Sequence, residues 1–403
     1  MGCSSGKLVP EPPKGGVHAE YVKTVFPNDY YITKFNEVPN KGEYSSPYSQ
    51  EGEGGQGGRR RKPAKYRTRI DPRVLAKYDI KALIGRGSFS RVVRVEHRIS
   101  RQPFAIKMIE RRPGAATIAE TELHVLRRVR HTNIIQLMEV FESDDKIYMV
   151  MELATGGELF DRIVAKGSFT ERDATRVLQM VLDGVRYLHN LGITHRDLKP
   201  ENLLYYHPGN DSKIMITDFG LAFARRAGDD LMMRTTCGTP EYIAPEILCR
   251  RPYSCAVDMW AIGVITYILL SGTMPFDDEN RTRLYRAIIK AKYTYTGEHW
   301  KDVSALSKDF IDHLLIIDPQ ERMTSAQALK HPWITTNAAS SSMKNLHRTI
   351  SQNLLQRASS RANSTKSARS TRSTKSNKSN RSLRSDHRRV QAYELEKLNL
   401  DEG

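Results

Sequence analysis

Apolar residues recur with a regular period only in the middle of this chain, which limits where a folded core can form. Three strand-like runs, YDIKALIG, RVVRVEH and PFAIKMIE, open this region at Tyr78. From Thr170 to Trp333, apolar residues return at spacings of three and four, the period of a helix that buries one face. A β-rich piece followed by a helical piece predicts an α+β chain with two lobes.

The flanking sequences lack this periodicity. Residues 1–58 are rich in Gly, Pro, Ser and Tyr, and residues 359–403 are rich in Ser, Arg and Lys. Such compositions bury too little apolar surface to offset the entropy lost on ordering. We therefore expect disordered N- and C-terminal tails around a folded region at residues 78–333, with residues 59–77 as a basic linker. The longest apolar stretch, residues 261–270, is shorter than the roughly 20 residues of a membrane-spanning helix.

The positive charge of the chain lies mainly in two segments. The formal net charge is +17. Residues 59–77 contain nine Lys or Arg against one acidic residue, and residues 337–390 contain thirteen against one. The folded region is close to neutral, which argues against a nucleic-acid-binding groove there. We expect the basic segments to contact an anionic membrane or RNA, and we expect no nucleic-acid partner for the folded region.

Five short motifs follow one another within the folded region. GRGSFSRV, at residues 85–92, lies between two strand-like runs, and its glycines would let the backbone approach phosphate groups. This segment alone fits an ordinary hairpin equally well. It is followed by FAIK, which ends at Lys107, by HRDLKPEN at 195–202, by DFG at 218–220 and by APE at 244–246.

In this order and at this spacing, the motifs resemble those of eukaryotic protein kinases. The segments GGELFDRI and HPW are similar to the calcium/calmodulin-dependent group of kinases. The MGC start, the basic linker and the Ser/Arg-rich tail are most similar to the protein serine kinase H family. The resemblance implies a bilobal protein kinase fold, with a small β-rich N-lobe (78–151) and a larger helical C-lobe (155–333). It also implies protein substrates, with ATP and Mg²⁺ as cofactors.

The resemblance assigns catalytic roles that suit phosphoryl transfer, which depends on positioning and charge neutralisation. Lys107 would hold the α- and β-phosphates and pair with Glu122, with Glu120 as the next choice. Asp197 would accept or orient the proton of the substrate hydroxyl, and Lys199 would neutralise the γ-phosphate. The oxygen ligands for Mg²⁺ would be Asn202 and Asp218.

The resemblance also implies an ATP pocket. Met151 would stand at the back of the adenine site, with the backbone of Glu152 and Ala154 bonded to the base. The full set of further residues expected around ATP is Ile84, Gly85, Arg86, Gly87, Ser88, Phe89, Ser90, Val92, Ala105 and Leu204.

Two carboxylates give a prediction about substrates. Glu158 and Glu201 would lie near the peptide site and attract a guanidinium upstream of the phosphorylated residue. We therefore predict Ser/Thr substrates with Arg at the minus-three position. Glu201 as a solvated loop charge is the alternative.

Thr235 lies where related kinases accept an activating phosphate, and Arg196 would be the partner of that phosphate. Thr239 is expected to hydrogen-bond within the catalytic loop. Phe223 stands where some relatives have a basic residue after DFG, which would weaken the hold on a phosphate, although Arg225 and Arg226 could compensate. Glu246 and Arg322 are expected to form a buried ion pair.

The N-terminus resembles an acylation signal. Gly2 matches a myristoylation site and Cys3 an adjacent palmitoylation site, although Gly6 stands where the motif has Ser or Thr. One acyl chain anchors weakly, so stable attachment would need both chains or the basic patch at residues 59–69. We predict the cytoplasmic face of the Golgi or plasma membrane, with a nuclear pool.

Residues 337–358 carry apolar residues at helical spacing among basic ones, namely Met343, Leu346, Ile350 and Leu354. A basic amphipathic helix after a kinase domain fits a calmodulin-binding or autoinhibitory segment. A helix that only packs on the large lobe is the alternative.

The tail also carries expected sites of autophosphorylation. Ser351, Ser360 and Ser364 each have Arg three residues upstream. The Arg/Ser-rich tail is also similar to tracts of nuclear RNA-processing adaptors, which is one alternative function. A pseudokinase scaffold is another, and the presence of Lys107 and Asp197 argues against it.

Overall fold

A computed structural model of the chain describes residues 70–87, 90–112, 114–225, 232–336 and 344–356. The chain divides into two units. In the described part, the first unit comprises residues 70–110 and 140–150, and the second comprises residues 111–139 and 151–356. The predicted boundary near residue 151 differs from this division, because residues 111–139 belong to the second unit. The predicted tails, 1–58 and 359–403, lie outside the described residues.

The strands are β1 (Tyr78–Arg86), β2 (Ser90–His97), β3 (Pro103–Glu110), β4 (Leu137–Glu142), β5 (Lys146–Glu152), β6 (Ile193–Thr194), β7 (Leu203–Tyr205), β8 (Ile214–Ile216) and β9 (Phe223–Ala224). The helices are α1 (Pro72–Lys77), α2 (Ala115–Leu126), α3 (Leu159–Lys166), α4 (Glu171–Asn190), α5 (Pro245–Leu248), α6 (Ala256–Ser271), α7 (Arg281–Ile289), α8 (Ala305–Asp312), α9 (Ser325–Ala328), α10 (Pro332–Thr335) and α11 (347–356). Short 3₁₀ turns occupy Pro200–Asn202, Pro240–Tyr242 and Glu298–Trp300.

The first unit is built on the sheet that the three strand-like runs predicted. The sheet has the strand order β1-β2-β3-β5-β4, and β2 pairs antiparallel with β1 and β3. In β2, Val93 and Val95 are buried while Arg91 is exposed, as expected of a strand with one face on a core. The core consists of Val74, Tyr78, Val93, Val95, Ile106, Phe141, Tyr148 and Val150.

Helices form most of the second unit, which confirms the predicted change from strands to helices. Helix α4 begins with a capping box, in which Thr170 and Asp173 each accept a hydrogen bond from the other's main chain. Its apolar residues at spacings of three and four are buried, including Val177, Leu178 and Val181. Helix α6 is buried from its second residue to its last. In the described part of the chain, no helix is both long and apolar enough to span a bilayer.

A buried carboxylate ties the end of the folded region to the start of α4. Glu171, which is 1% exposed, accepts hydrogen bonds from the Ser304 main-chain nitrogen (2.8 Å) and from Trp333 Nε1 (2.9 Å).

The predicted buried ion pair is present in the second unit. Arg322 Nη1 and Nη2 donate to the Glu246 carboxylate at 2.8 and 3.0 Å. The side chains of Arg322 and Glu246 are almost fully buried, so removing one of them would leave the charge of the other uncompensated.

Residues 344–356 pack on the second unit. The Leu346 nitrogen donates to Phe169 O at 2.8 Å, and Ile350 of α11 is fully buried. Gly272 follows α6 with φ of 73°, and a Cβ there would lie 2.6 Å from Ile350 O. Glycine is therefore required both by its left-handed backbone and by the close approach of α11. Within the predicted amphipathic segment, residues 347–356 thus form a helix that packs on the second unit, as both alternatives require. Calmodulin binding is a separate question.

Candidate active site

The HRDLKPEN segment, residues 195–202, is the expected catalytic loop, and one aspartate of α6 accepts hydrogen bonds from its main chain. Asp258 Oδ2 accepts the His195 N–H and Asp258 Oδ1 accepts the Arg196 N–H, both at 2.9 Å. The Nε2 of His189, in the last turn of α4, lies 2.9 Å from Asp258 Oδ2. Burial alone would raise the pKa of Asp258, but the hydrogen bond and charge of His189 hold it below its ordinary value. Asp258 therefore acts as an ionised acceptor for the loop.

The His195 side chain bonds to the main chain of Asp197, further along the loop. Its Nδ1 lies 3.3 Å from the Asp197 nitrogen, and its Nε2 lies 3.0 Å from Thr217 O. Because Nδ1 faces a donor and Nε2 an acceptor, this geometry assigns the proton to Nε2. The ring also packs against Phe219 of the DFG motif, with centroids 5.0 Å apart. The imidazole thus connects the catalytic loop to the DFG segment.

The carboxylate of Asp197 lies at the centre of a network of donors. Its Oδ1 accepts from the Thr239 nitrogen (3.0 Å) and hydroxyl (2.8 Å), and its Oδ2 accepts from Lys199 Nζ (2.7 Å). Lys199 Nζ also donates to the Thr239 hydroxyl at 3.0 Å. The prediction that Thr239 bonds within the catalytic loop is confirmed. One residue from the loop and one from residues 232–246 therefore fix the orientation of this carboxylate.

The two expected metal ligands lie on neighbouring segments. Asn202 is buried, and its Nδ2 donates to Asp197 O at 2.8 Å. The Asn202 main-chain oxygen accepts from the Thr217 nitrogen at 2.9 Å, so the residue before Asp218 is bonded directly to the loop. Asp218 is exposed and has a φ of 61°. An amide oxygen and a carboxylate are hard oxygen donors, which fit Mg²⁺.

The first unit places the glycine-rich segment between β1 and β2. Its turn is closed by a hydrogen bond from the Gly87 nitrogen to Ser90 O at 2.9 Å, and Gly85 pairs with Val92. Lys107 lies opposite Val92 on β3, and Ala105 of the same strand is buried. Ile84 and Arg86 lie on β1. Ser88 and Phe89 lie outside the described residues.

The second unit holds the other residues expected around ATP. On α2, Glu122 is 1% exposed whereas Glu120 is exposed, and this burial favours Glu122 as the residue with a specific role. Met151 is buried at the end of β5. The Glu152 nitrogen donates to Gln136 O at 3.0 Å, so this N–H is not available to a base. The remaining two residues, Ala154 and Leu204, are partly buried.

Three carboxylates cluster around the start of α3. Desolvation, together with the negative charges of Asp161 and Glu201, raises the pKa of Glu158 to about 7. Desolvation and Glu201 also raise the pKa of Asp161. Glu158 is nevertheless exposed to solvent, so its carboxyl is accessible to a peptide. The structure thus brings Glu158 and Glu201 together, as predicted, and adds Asp161, which no sequence motif indicated.

The side chain of Arg196 points to neutral acceptors. Its Nε donates to Leu221 O at 2.6 Å and its Nη1 donates to the Tyr253 hydroxyl at 3.1 Å. The guanidinium also lies over the ring of Phe223 at 5.9 Å. The side chain of Thr235 is exposed. Arg196 and Thr235 are therefore connected through Tyr253 in the unphosphorylated chain.

Sequence reasoning missed three residues of this site: His189, Tyr253 and Asp258. A signal for Asp258 is present, because it is the only charged residue in the apolar run of α6. A buried charge in such a run must have partners. The partners themselves are far away along the chain, so their identity could not be inferred.

Comparison with known proteins agrees with the fold and the site. The protein kinase domain family matches residues 78–334. The chain is 66% identical to serine/threonine-protein kinase H1 of Homo sapiens, over 99% of this chain and 98% of that protein. It is 68% identical to the serine/threonine-protein kinase H1 homolog of Pinctada fucata, over 100% of this chain and 97% of that protein.

The chain therefore belongs to the protein kinase family. It is a serine/threonine-protein kinase, and within the family it is related to kinase H1. It also shares 50% identity with the calcium/calmodulin-dependent protein kinase type 1 of Macrobrachium nipponense, over 70% of this chain and 81% of that protein. The predicted fold, a β-sheet lobe and a helical lobe, is confirmed.

The His189–Asp258 pair predicts a pH-dependent stability. Burial lowers the pKa of His189, but its hydrogen bonds to Asp258 and Cys255 outweigh this effect and raise the pKa to about 9. The charged imidazole therefore contributes fully to the free energy of unfolding below its ordinary pKa of 6.5, and this contribution is lost as the pH rises through about 9. Between pH 6.5 and pH 10, we expect the free energy of unfolding of the wild type to fall by roughly 2–3 kcal/mol relative to that of His189→Gln.

Urea unfolding of both proteins across this range checks the expectation. The difference between the two curves isolates His189 from other titrating groups. Parallel curves would contradict a charged His189 in the folded state.

Proposed function

We propose that this kinase transfers the γ-phosphoryl group of ATP to Ser and Thr residues of proteins, with Asp197 as the residue that positions the substrate hydroxyl. The observation that carries this is the network around Asp197, whose carboxylate is fixed by Thr239 and Lys199. A fixed carboxylate can accept the hydroxyl proton or orient the hydroxyl for attack. Lys199 Nζ, 2.7 Å away, supplies positive charge where phosphate charge increases during transfer.

The donor groups present fit ATP with Mg²⁺. Asn202 and Asp218 would hold the metal, and Lys107 would hold the phosphates under the Gly85–Gly87 segment. When bound, ATP with its metal supplies the phosphoryl group and neutralises charge on the phosphates. The residues of this chain orient the hydroxyl and stabilise the charge on the transferred group.

Asp197→Asn tests this function. We expect the kcat for a Ser-containing peptide to fall by on the order of 10²–10⁴, because the amide cannot accept the proton. Asp183 is a partly buried aspartate of α4 that pairs with Arg186, and Asp183→Asn is the matched control, which is expected to keep full activity. Peptide phosphorylation by the purified full chain is the measurement. Equal activity of Asp197→Asn and wild type would contradict the assignment and leave a scaffold function.

We propose a preference for Arg at the minus-three position of substrates. The support is the cluster of Glu158, Asp161 and Glu201, whose mutual repulsion is relieved when a guanidinium binds. Glu158 is protonated below its pKa of about 7 and attracts a cation only above it.

The preference is therefore expected to depend on pH. We predict that the ratio of kcat/KM for an Arg-containing peptide to that for the Ala-substituted peptide rises about fivefold from pH 6 to pH 8. In Glu158→Gln this ratio should be lower and independent of pH, while Glu298→Gln, an exposed surface residue, should follow the wild type. The ratio of the two kcat/KM values cancels the pH dependence of catalysis itself. If the ratio in Glu158→Gln changed with pH as it does in the wild type, Glu158 would have no role in the preference for Arg.

We propose that residues 337–358 bind calmodulin when they leave the kinase domain. The chain is related to a calcium/calmodulin-dependent kinase, and the segment is basic and amphipathic. In the described part of this segment, Leu346 and Ile350 are already buried against the second unit. The same apolar residues would therefore have to be exposed before calmodulin could bind.

This competition gives a measurable difference. We expect the isolated 337–358 peptide to bind calmodulin in calcium at least about tenfold more tightly than the full chain does, because Ile350 must leave a buried site. Gly272→Ala, which weakens the docking of α11 without changing the peptide, should bring the full chain closer to the peptide. Titration with calcium and with chelator is the measurement. Failure of the peptide to bind would leave only the packing role.

We also propose autophosphorylation of the chain at Ser351, Ser360 and Ser364, and an activating phosphate on Thr235. Thr235 is exposed, whereas Ser351 is only 8% exposed and its hydroxyl lies 2.9 Å from His347 Nε2. Phosphorylation of Ser351 therefore requires α11 to detach. Ser360 and Ser364 lie outside the described residues. Mass spectrometry of the kinase before and after incubation with ATP tests all four sites.

Finally, we propose attachment to the cytoplasmic face of the Golgi or plasma membrane through acyl groups on Gly2 and Cys3, with a nuclear pool. Both residues lie outside the described part of the chain. The support is the MGC sequence together with the basic residues 59–69. The mass of the N-terminal peptide from cells tests it, since an unmodified Gly2 would contradict the proposal.

A further inference from the structure

Tyr253 lies between the catalytic loop and residues 233–235 of the segment that follows DFG. Its main-chain nitrogen donates to Met233 O at 2.9 Å, and its oxygen accepts from the Met233 nitrogen at 2.8 Å. Its hydroxyl donates to Thr235 O at 2.6 Å. Three hydrogen bonds thus fix the main chain next to the expected phosphorylation site.

The same hydroxyl is an acceptor for the catalytic loop. Arg196 Nη1 donates to it at 3.1 Å, while Arg196 Nε donates to Leu221 O at 2.6 Å. A tyrosine hydroxyl has one proton to donate and lone pairs to accept, so both bonds form at once. Tyr253 is 2% exposed, and burial raises its pKa to about 12, so the hydroxyl stays protonated in any assay.

These bonds take the place of the contact that a phosphate on Thr235 would make with Arg196. A phosphate on Thr235 would join Arg196 to the activation segment by charge. Here the hydroxyl of Tyr253 already joins the Arg196 side chain to the main chain of Thr235. The guanidinium also lies over the ring of Phe223, 5.9 Å from its centroid.

The main chain and the side chain of Arg196 are held from one region of the fold. Asp258, in the first turn of α6, accepts the Arg196 N–H, and Tyr253, three residues before α6, accepts the guanidinium. Arg196 also has a φ of 67°, an unfavourable conformation for a residue with a side chain. It persists only where its surroundings fix it.

We infer that Tyr253 is a positioning residue, which holds Arg196 and the activation segment in place without a phosphate on Thr235. The kinase therefore has a high basal activity in the unphosphorylated state. This inference rests on the proposed role of the catalytic loop, in which Arg196 precedes Asp197.

The experiment uses the full chain, treated with phosphatase and checked by mass spectrometry. We expect phosphatase-treated wild type and Thr235→Ala to keep a kcat within about threefold of wild type preincubated with ATP, whereas phosphatase-treated Tyr253→Phe loses about tenfold, the effect of a hydrogen bond to a charged group. KM for ATP should change by less than about twofold in both, since neither residue contacts the nucleotide. Tyr267→Phe is the matched control, because Tyr267 is also buried and its hydroxyl also donates to a carbonyl, that of Thr294 at 2.7 Å.

A double-mutant cycle separates positioning from a general loss of packing. If Tyr253 acts through Arg196, then Tyr253→Phe causes no further loss of kcat in the Arg196→Ala background. Additive losses, or a Thr235→Ala variant as impaired as Tyr253→Phe, would overturn the inference. Asp197→Asn shows whether the proposed function itself fails. If it does, Asp197→Asn will be as active as the wild type, whatever the result for Tyr253→Phe.

Discussion

The buried carboxylate of Asp258 is the interaction on which the catalytic site depends. It is the only charge in an otherwise apolar helix, and it is stable there because three donors surround it. Two of the donors are consecutive main-chain nitrogens of the catalytic loop. The loop is thereby fixed to a helix that is buried from its second residue to its last, and the position of Asp197 follows from this attachment.

Two residues beside the reacting groups adopt unfavourable backbone conformations. Arg196 and Asp218 have φ of 67° and 61°, each costing roughly 1–3 kcal/mol. Both conformations are fixed by neighbouring bonds: Asp258 holds the Arg196 nitrogen, and the Thr217 nitrogen bonds to Asn202 O beside Asp218. The fold thus offsets this local backbone strain with hydrogen bonds from neighbouring residues.

Much of the fold was predictable because local periodicity determines it. The three opening runs became β1, β2 and β3, and the spacing of apolar residues after Thr170 became α4. The network of Asp197 was only partly predictable. Lys199 lies two residues away, whereas Thr239 lies 42 residues away. Arg196 is expected to be the partner of a phosphate on Thr235; in the chain without that phosphate it donates to Leu221 O and to Tyr253, which no local pattern indicates.

The sequence by itself indicated the class of protein and the residues expected to carry its chemistry, because its motifs resemble those of kinases. It also indicated the change from strands to helices, because the spacing of apolar residues follows the period of each kind of element. Only the tertiary structure decided which distant residues hold the catalytic loop, how Tyr253 joins it to Thr235, and that residues 344–356 pack on the second unit. These contacts join segments that are far apart in the chain, and they depend on how buried surfaces fit together.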